Sequence, residues 1–594
     1  MTSSQTLSAT RVAVLALSPW HLPGMHASFS FAARRLQAAL MSDPRLDGVE
    51  VRLFEHGSVP LETWMAALED FGPDVVAASA YVWSMPTFAL LAEQVKQRIP
   101  RAMVVFGGPS ARPEMLDLAP FQPLAKHIDV MVVGEGEAAI CDLVDSYPTV
   151  RTDLPGLVLP SAEGWRRTPP RKTPLAIDTL PSPYRMGLSP TQSTAYLENF
   201  RGCPMSCSFC QWGAMDPAGG VMSVESLVRE FEALEALDPL GICLVDAGLN
   251  LNARSFRNLV EAEARTGFFK GRYLDTEIYP NVLKPEHLEF LGNARSNVGL
   301  GLQSMNAEAL ERVKRPFKRD RFADVVGDLA SVAKVSVEII LGLPGDTPEG
   351  FKATIDYLRD LPCNIRIYYC LVLPDAFMTR EKAEVRYHPI TLELESGPGW
   401  SAEDLQATCE WLDSDTDAGV LRLNKLESGD SERLESYVER LVDPPWWVIR
   451  SDDDEEPLPT SPHAPQGDVH RVATPIEIHS PDLGEPLPPA LRNRLAKAVE
   501  LATRSRWALE DARRFETDVE ITLRTGRRTM KLSVKTPGGP AFRLASGLAF
   551  SYISDEDEHL PPAETSMLEL VIDLLARLLT GTLRPKTRNA PNPP

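Results

Sequence analysis

The chain has 594 residues, of which 43% are hydrophobic and 24% charged, and its 61 basic and 82 acidic residues give a formal net charge of −21. This length predicts several domains with sizeable cores, and the acidic balance argues against a nucleic-acid-binding surface. The sequence has no apolar run of about 18 residues, so we expect no membrane-spanning helix. Five of its eight cysteines are scattered rather than spaced as a disulfide framework, which favours a reducing cytoplasm.

Residues 1–150 predict a doubly wound, Rossmann-like α/β domain. Five short apolar runs are typical of buried parallel strands, and amphipathic stretches such as residues 87–99 separate them. The first run lies close to the start of the sequence and predicts a first buried strand. The five runs are residues 12–17, 49–54, 75–80, 102–108 and 130–136.

Three loops at the ends of these predicted strands form a candidate ligand site. They read "SAYVWS" (79–84), "GGPSARP" (107–113) and "GEGE" (134–137). Doubly wound sheets bind ligands beyond the carboxyl ends of their strands, and glycines let the backbone approach a ligand closely. On the glycines alone, tight strand-to-helix turns without a ligand are an equally good interpretation.

A connector rich in proline and charge, residues 151–190, leads to a second βα series in residues 191–400. Six βα units predict a partial (β/α)6 barrel, whose chemistry should lie on the loops at the carboxyl ends of its strands. The six strand-like runs are residues 194–200, 241–248, 272–279, 297–304, 335–344 and 365–374.

The last third of the chain is less regular. Residues 401–474 read as an extension with an acidic, proline-rich stretch at 452–468. Residues 475–594 predict a small α+β accessory domain, with a hairpin at 518–536, a helix at 566–581 and a frayed end. No chemical role for this domain follows from its residues.

The stretch "ENFRGCPMSCSFCQWG" (198–213) places Cys203, Cys207 and Cys210 just after the first predicted barrel strand. Soft thiolates select zinc, copper(I) or iron–sulfur clusters. A structural zinc site normally has four ligands, and no nearby cysteine or histidine is well placed as a fourth. Three thiolates can hold a 4Fe-4S cluster with one iron open. A partial zinc site or chance remains the alternative.

This Cys-x3-Cys-x2-Cys spacing, behind a doubly wound domain, resembles the cobalamin-dependent radical S-adenosylmethionine (SAM) enzymes over about residues 10–400. The resemblance implies that the open iron binds the amino and carboxylate groups of SAM. An electron from the cluster then releases a 5′-deoxyadenosyl radical. The missing fourth ligand is therefore the cofactor, and a flavodoxin- or ferredoxin-type partner would supply the electron.

The resemblance also assigns SAM contacts to the ends of later barrel strands. The second strand ends in "LVDAGLN", where the family commonly has Gly-Gly-Glu, and the fifth-strand motif offers its backbone to the adenine. Each residue could instead cap the next helix. The expected SAM-binding residues are Asp246, Asn250, Glu277, Gln303, Ser304, Ile339 and Gly342.

For the first domain, the resemblance makes cobalamin the expected ligand of the three glycine- and serine-containing loops. Residues 1–150 lack an Asp-x-His-x-x-Gly motif, which implies that no protein imidazole ligates the cobalt. Trp83 either covers the lower face of the corrin or is an ordinary core residue. The expected cobalamin-binding residues are Tyr81, Trp83, Ser84, Gly107, Gly108, Pro109, Gly134, Glu135 and Gly136.

The leading hypothesis is C-methylation of an unactivated carbon in a specialised metabolite or peptide. One SAM would methylate cobalamin, a second would yield the radical that abstracts hydrogen, and the substrate radical would take the methyl group from methylcobalamin. Tyr368 and Tyr369 could face the substrate or serve packing. The alternatives are ring contraction, cyclisation or oxidation with the same cofactors, methylthiolation of transfer RNA, and a non-catalytic cobalamin sensor.

Overall fold

The structure is a computed structural model that describes most of residues 10–414 and shorter segments beyond them. The chain divides into two compact units, residues 1–19 with 28–467 and residues 20–27 with 468–594. The described residues are 10–17, 29–57, 59–171, 176–190, 194–214, 220–239, 241–315, 317–380, 385–414, 418–421, 433–438, 446–449, 485–486, 508–514, 518–525 and 528–535.

The first sheet confirms the predicted doubly wound domain. Its seven strands have the order β2-β1-β3-β4-β5-β6-β7, with β1 to β5 parallel and β6 and β7 antiparallel. The strands are Arg11–Leu17 (β1), Glu50–His56 (β2), Val75–Ser79 (β3), Met103–Gly107 (β4), Val130–Val132 (β5), Leu157–Ser161 (β6) and Gly164–Arg167 (β7). The helices are Phe31–Ser42 (α1), Leu61–Phe71 (α2), Met85–Arg98 (α3), Pro113–Leu116 (α4) and Gly136–Ser146 (α5).

Both faces of this sheet are covered, which explains why its strands read as continuous apolar runs. In β1, Ala13 and Leu15 pack into one hydrophobic layer, whereas Val12 and Val14 pack into the layer on the opposite face. Successive side chains of a strand point to opposite faces, so only an unbroken apolar run fills both layers. The predicted connector adds β6 and β7 to the edge of the sheet, a hairpin that sequence analysis did not find.

The second sheet confirms the predicted partial barrel. Its strand order is β16-β17-β13-β12-β11-β10-β9-β8, with β8 to β13 parallel and an antiparallel pair at one edge. The strands are Thr194–Leu197 (β8), Gly241–Leu244 (β9), Tyr273–Ile278 (β10), Arg295–Gln303 (β11), Lys334–Leu341 (β12), Asn364–Tyr369 (β13), Arg386–Tyr387 (β14), Leu394–Ser396 (β15), Ala418–Leu421 (β16) and Trp446–Ile449 (β17). The strands β14 and β15 pair with each other. The helices are Val224–Leu237 (α6), Ala253–Thr266 (α7), Pro285–Gly292 (α8), Ala307–Arg312 (α9), Phe322–Ala330 (α10), Pro348–Arg359 (α11), Phe377–Arg380 (α12) and Ala402–Ser414 (α13).

The strands of the partial barrel have one face of apolar side chains and one face of small or polar residues. Along β11, Val298 and Leu300 belong to the hydrophobic core that the helices cover. Gly299 and Gly301 point the other way, and a Cβ added to Gly299 would overlap the carboxylate of Glu277. The alternation of the strand therefore separates a helix-facing core from an interior that holds charged groups.

The second compact unit contains an antiparallel sheet in the order β18-β19-β20-β21. Its strands are Glu485–Pro486 (β18), Ala508–Arg514 (β19), Asp518–Thr525 (β20) and Arg528–Lys535 (β21). The pairing of β20 with β21 confirms the predicted hairpin. The predicted helix at 566–581 and the acidic stretch at 452–468 lie outside the described residues. No described helix is long and apolar enough to cross a membrane.

Two glycines at strand ends of the first sheet provide a matched test of close backbone approach. Gly108 has φ +93°, and a Cβ there would lie 2.6 Å from the carbonyl oxygen of Ala80. Gly134 has φ +94° but nothing within 4 Å of the same position. We expect Gly134→Ala to cost about 1–2 kcal/mol of unfolding free energy from backbone strain alone. Gly108→Ala should cost about 1–3 kcal/mol more, because the backbone of Ala80 has to move.

Urea unfolding of both full-length variants, followed by circular dichroism, measures this difference. Equal losses for the two variants would contradict the close approach of the Gly108 loop to Ala80.

Candidate functional site

The strand order of the first sheet reverses between β1 and β3, and an aromatic pair lies at this point. Tyr81 and Trp83 follow β3 and stack in parallel, with ring centroids 4.5 Å apart and 8° between their planes. Trp83 Nε1 donates a hydrogen bond to the carbonyl of Leu17 at the end of β1, at 3.2 Å. Ligands of doubly wound sheets bind in the crevice at such a reversal. Trp83 is part-exposed there, unlike the fully buried Trp64.

Ser84 stabilises the conformation of this loop. Ser84 is fully buried, and its Oγ accepts a hydrogen bond from the backbone N–H of Tyr81 at 2.9 Å. Its hydroxyl is therefore bonded within its own loop, and direct contact of Ser84 with cobalamin stays a prediction.

The "GGPSARP" loop after β4 is joined to both the preceding strand end and the partial barrel. Gly107 and Gly108 stand at the point where the loop crosses Ala80, whose backbone N–H donates to the carbonyl of Gly107 at 2.7 Å. The carbonyl of Pro109 accepts a hydrogen bond from Gln211 Nε2 at 3.2 Å. The loop therefore contacts the segment that carries the three cysteines.

The "GEGE" loop after β5 is joined to the cysteine segment by a buried charge network around Arg201. The guanidinium lies 3.1 Å from Glu135, 2.5 Å from Glu137 and 2.7 Å from Glu198, measured to the nearest carboxylate oxygen. Burial alone would lower the pKa of Arg201, but these carboxylates raise it above its ordinary value. Glu135 lies between Gly134 and Gly136, and the resemblance assigns all three residues to cobalamin. The Glu135 carboxylate thus pairs with Arg201, two residues before Cys203.

The cysteine loop itself is surrounded by N–H donors. Cys207 is buried, whereas Cys203 and Cys210 are partly exposed. Arg380 Nη1 donates to the carbonyls of Cys207 and Cys210 at 3.2 and 3.4 Å, and Arg315 Nη1 lies 3.8 Å from Cys207 Sγ. Burial raises the pKa of the Cys203 thiol. Two guanidinium groups thus lie beside the cysteine loop.

A single metal ion and a 4Fe-4S cluster place different requirements on the three cysteines. Among the described residues, no group of three or more His, Cys, Asp or Glu side chains is placed to hold one ion. A 4Fe-4S cluster takes one thiolate per iron, so its ligands need not converge on a point.

Asp246, at the end of β9, carries a buried oxygen that no group of the described residues satisfies. Its Oδ1 accepts hydrogen bonds from the backbone N–H groups of Asn199 and Phe200, at 2.8 and 3.1 Å, which joins β9 to the start of the cysteine loop. Its Oδ2 is buried without a partner. Burial raises the pKa of Asp246 to about 8. An unsatisfied carboxylate oxygen beside the cysteine loop fits an N–H group of the SAM amine.

Two other predicted SAM residues use their polar groups within the protein. Asn250 bonds both backbone groups of Tyr279, at 2.8 and 2.9 Å, and so joins the ends of β9 and β10. Ser304 donates to Asp346 Oδ2 at 2.6 Å and accepts from the N–H of Asn306 at 2.9 Å. Both side chains position loops, and their direct contact with SAM stays a prediction.

Three more predicted SAM residues lie in β11, in β12 or directly after β12. Gln303 adopts φ +76° at the end of β11. The side chain of Ile339 is fully buried in the helix-facing core, so it can offer a ligand only its backbone, as the resemblance implies. Gly342 has φ +88° and begins the loop after β12.

The interior of the partial barrel holds a charged cluster that sequence analysis found only in part. Glu277 is joined there by Glu338, Arg366 and Tyr368, whose Oη donates to Glu338 Oε1 at 3.2 Å. Burial and the nearby Glu338 carboxylate raise the pKa of Glu277 to about 8. The missed signal is the presence of charged residues at alternate positions in otherwise apolar strands.

Strand alternation separates the two tyrosines that sequence analysis took as substrate-facing candidates. Tyr368 faces the charged interior. Tyr369 points to the opposite side, where its Oη donates to the carbonyl of Leu394 in β15 at 2.9 Å. A role for either residue toward the substrate stays a prediction.

Comparison with known families agrees with this architecture. The B12 binding domain family matches residues 38–144, and the Radical SAM superfamily matches residues 198–358. The chain combines a B12-binding domain with a radical SAM domain. These domains imply cobalamin, a 4Fe-4S cluster and SAM as cofactors, as the cysteine spacing and the resemblance predict.

Individual relatives match over part of their length. The chain is 30% identical to 2-(S-pantetheinyl)-carbapenam-3-carboxylate methyltransferase of Streptantibioticus cattleyicolor over 329 residues, which cover 51% of this chain and 48% of that protein. It is 28% identical to the cobalamin-dependent radical SAM methyltransferase TokK of Streptomyces tokunonensis over 348 residues, 52% of this chain and 49% of TokK. The chain thus matches about half the length of these curated relatives.

A solved structure has a similar fold. The cobalamin-dependent SAM radical enzyme OxsB, with aqua-cobalamin and SAM bound, matches with a TM-score of 0.52 and 12% identity. The match covers 69% of this chain and 67% of OxsB. At this identity the likeness concerns the fold alone.

The Arg201 network predicts a large stability effect. Arg201→Gln removes the cation that the buried Glu137 and the half-buried Glu135 and Glu198 share between the B12-binding and radical SAM domains, which should cost about 3–5 kcal/mol of unfolding free energy. Arg151→Gln is the control, because Arg151 pairs with Asp153 at the surface. Chemical unfolding of the two variants measures the difference, and equal midpoints would show that the network does not hold these domains together.

Asp246 predicts a pH-dependent affinity for SAM. In Asp246→Asn the amide oxygen can still accept from Asn199 and Phe200, so the cluster should load normally. The loss of the carboxylate should weaken SAM binding about 10- to 100-fold. In the wild type, the ionised carboxylate accepts a hydrogen bond from the SAM amine more strongly than the protonated acid does, so affinity for SAM should fall as the pH is lowered below about 8, the pKa of Asp246.

Calorimetric titration of the reconstituted proteins with SAM between pH 6.5 and 8.5 checks both statements. We expect the pH slope due to Asp246 to disappear in the variant. An unchanged affinity and slope would remove Asp246 from the SAM site.

Proposed function

We propose that this chain is a cobalamin-dependent radical SAM enzyme that methylates an unactivated carbon of a small-molecule or peptide substrate. One observation carries the proposal. Gln211, one residue after Cys210, donates through Nε2 to the carbonyl of Pro109 in the B12-binding domain and to that of Pro374 after β13, at 3.2 and 2.8 Å. The cysteine loop, the cobalamin loops and the barrel edge therefore meet at one place.

This meeting point suits a reaction that needs two cofactors at one substrate. Carbon–hydrogen activation takes place beside the cluster, and methyl transfer requires cobalt to face the same carbon, so both must be held in a fixed relation. A second link supports this relation, since Arg112 Nε lies 2.5 Å from Asp375 Oδ2, between the "GGPSARP" loop and the loop after β13. The names of the two curated relatives, both methyltransferases, support the reaction type.

The protein contributes ligands, orientation and exclusion of water. When bound, the cluster and SAM supply the radical, and cobalamin carries the methyl group. In this proposal Cys203, Cys207 and Cys210 ligate three irons, and Asp246 holds the SAM amine. With cobalamin bound, the stacked Tyr81 and Trp83 would exclude water from one side of it. A flavodoxin- or ferredoxin-type protein is the proposed electron donor.

An anaerobic assay with CD3-labelled SAM tests the proposal. The full-length protein is reconstituted with iron, sulfide and cobalamin, supplied with a reductant, and incubated with candidate pathway intermediates. We expect 5′-deoxyadenosine, S-adenosylhomocysteine and a product that has gained one CD3 group by mass spectrometry. Replacement of all three cluster cysteines by alanine should remove the bound iron and all 5′-deoxyadenosine.

Cys363→Ala is the matched control, because Cys363 is buried in the helix-facing core. It should retain iron and activity. Production of 5′-deoxyadenosine with a substrate that is altered without label would contradict methylation and indicate ring contraction, cyclisation or oxidation. Absence of 5′-deoxyadenosine from protein with a full cluster would indicate a cobalamin sensor.

A further inference from the structure

The guanidinium of Arg315 is directed at a thiol of the cysteine loop. Arg315 lies between α9 and α10, and its Nη1 is 3.8 Å from Cys207 Sγ. Cys207 is the most buried of the three clustered cysteines. A hydrogen bond from a cation to a buried sulfur is far less screened than one at the surface.

Three contacts hold this side chain in place. Its Nη2 donates to the carbonyl of Gly301, and its guanidinium lies over the ring of Tyr279, 4.8 Å from the centroid. Gly301 leaves the necessary space, since a Cβ there would lie 3.0 Å from Arg315 Nη2. The Gly301 carbonyl, the Tyr279 ring and Cys207 Sγ each contact a different part of the guanidinium. The fold of the partial barrel therefore determines the orientation of the Arg315 side chain.

The segment that carries Arg315 also holds the cysteine loop. The backbone N–H of Ser208 donates to the carbonyl of Val313 at 3.0 Å. Among the described residues, no carboxylate lies within ion-pair distance of Arg315, unlike Arg201 and Arg112. Arg315 also acts electrostatically on the Glu277 and Glu338 carboxyl groups and on the Cys203 thiol, and its Nη1 is directed at Cys207.

We propose that Arg315 is a positioning residue that raises the reduction potential of the cluster through its N–H···S hydrogen bond to Cys207. Reduction adds negative charge to the cluster, so a fixed cation beside a ligand sulfur stabilises the reduced form more than the oxidised form. The inference rests on the proposed function only for the presence of the cluster.

Redox titration of the reconstituted, SAM-free, full-length protein, followed by electron paramagnetic resonance, tests this role. Arg315→Gln removes the charge and should lower the ratio of reduced to oxidised cluster about tenfold at a fixed potential, equivalent to about 59 mV for one electron. Arg315→Lys keeps the charge but loses the planar fork and should shift the potential less, in the same direction. Lys314→Gln is the matched control, an identical charge change at an exposed neighbour, and should leave the potential unchanged.

Iron content and SAM affinity of each variant complete the design. If Arg315→Gln fails to load iron, the potential of Arg315→Lys decides, and an unchanged value overturns the proposal. A potential equal to that of Lys314→Gln overturns it as well. An unchanged potential with weaker SAM binding would assign Arg315 to the cofactor instead. The measurement uses no substrate, so failure of methyl transfer would leave it intact.

Discussion

One buried cation, Arg201, joins the two parallel sheets. Arg201 belongs to the cysteine segment, yet two of its three carboxylate partners, Glu135 and Glu137, come from the loop after β5 of the other sheet. A buried ion network contributes little net stability compared with apolar packing, but removal of one partner is costly. We infer that the network fixes the position of the cysteine segment relative to the loop after β5. Other relative positions of the two sheets would leave buried charges unpaired.

The other contacts between the sheets agree with this constraint. Gln211 and the pair Arg112–Asp375 join the "GGPSARP" loop to the same barrel edge. Together with Arg201, they bring two of the three candidate cobalamin loops against the cysteine segment or the loop after β13. Trp83 lies on the third loop, where it spans the reversal of strand order. Polar contacts at loop ends therefore join the two sheets, and Ile390 and Leu392, which follow β13, add apolar contacts because they pack into a core of the first sheet.

The charged interior of the partial barrel has a related physical basis. Glu277 and Glu338 share a space with Arg366 and Tyr368, where burial raises the pKa of both carboxyl groups and the Glu338 carboxylate raises that of Glu277 further. Such a cluster destabilises the fold unless a ligand or a proton satisfies it. Gly299 and Gly301 make room for it, because they leave space for the Glu277 carboxylate and the Arg315 guanidinium. The interior of the partial barrel therefore contains ionisable groups in place of larger apolar side chains at these positions.

The sequence by itself determined the features that depend on local order. Apolar runs such as residues 12–17 predicted the strands, because period-two alternation and burial act on neighbouring residues. The spacing of Cys203, Cys207 and Cys210 predicted the cluster loop, because the three cysteines lie within eight consecutive residues. Tertiary structure alone decided the roles of Arg201 and Arg315, whose partners Glu137 and Cys207 are 64 and 108 positions away in sequence. Electrostatic interactions act through space, and a single sequence does not show which charges folding brings together. Strand register likewise decided that Tyr368 faces the charged interior while its neighbour Tyr369 packs against β15.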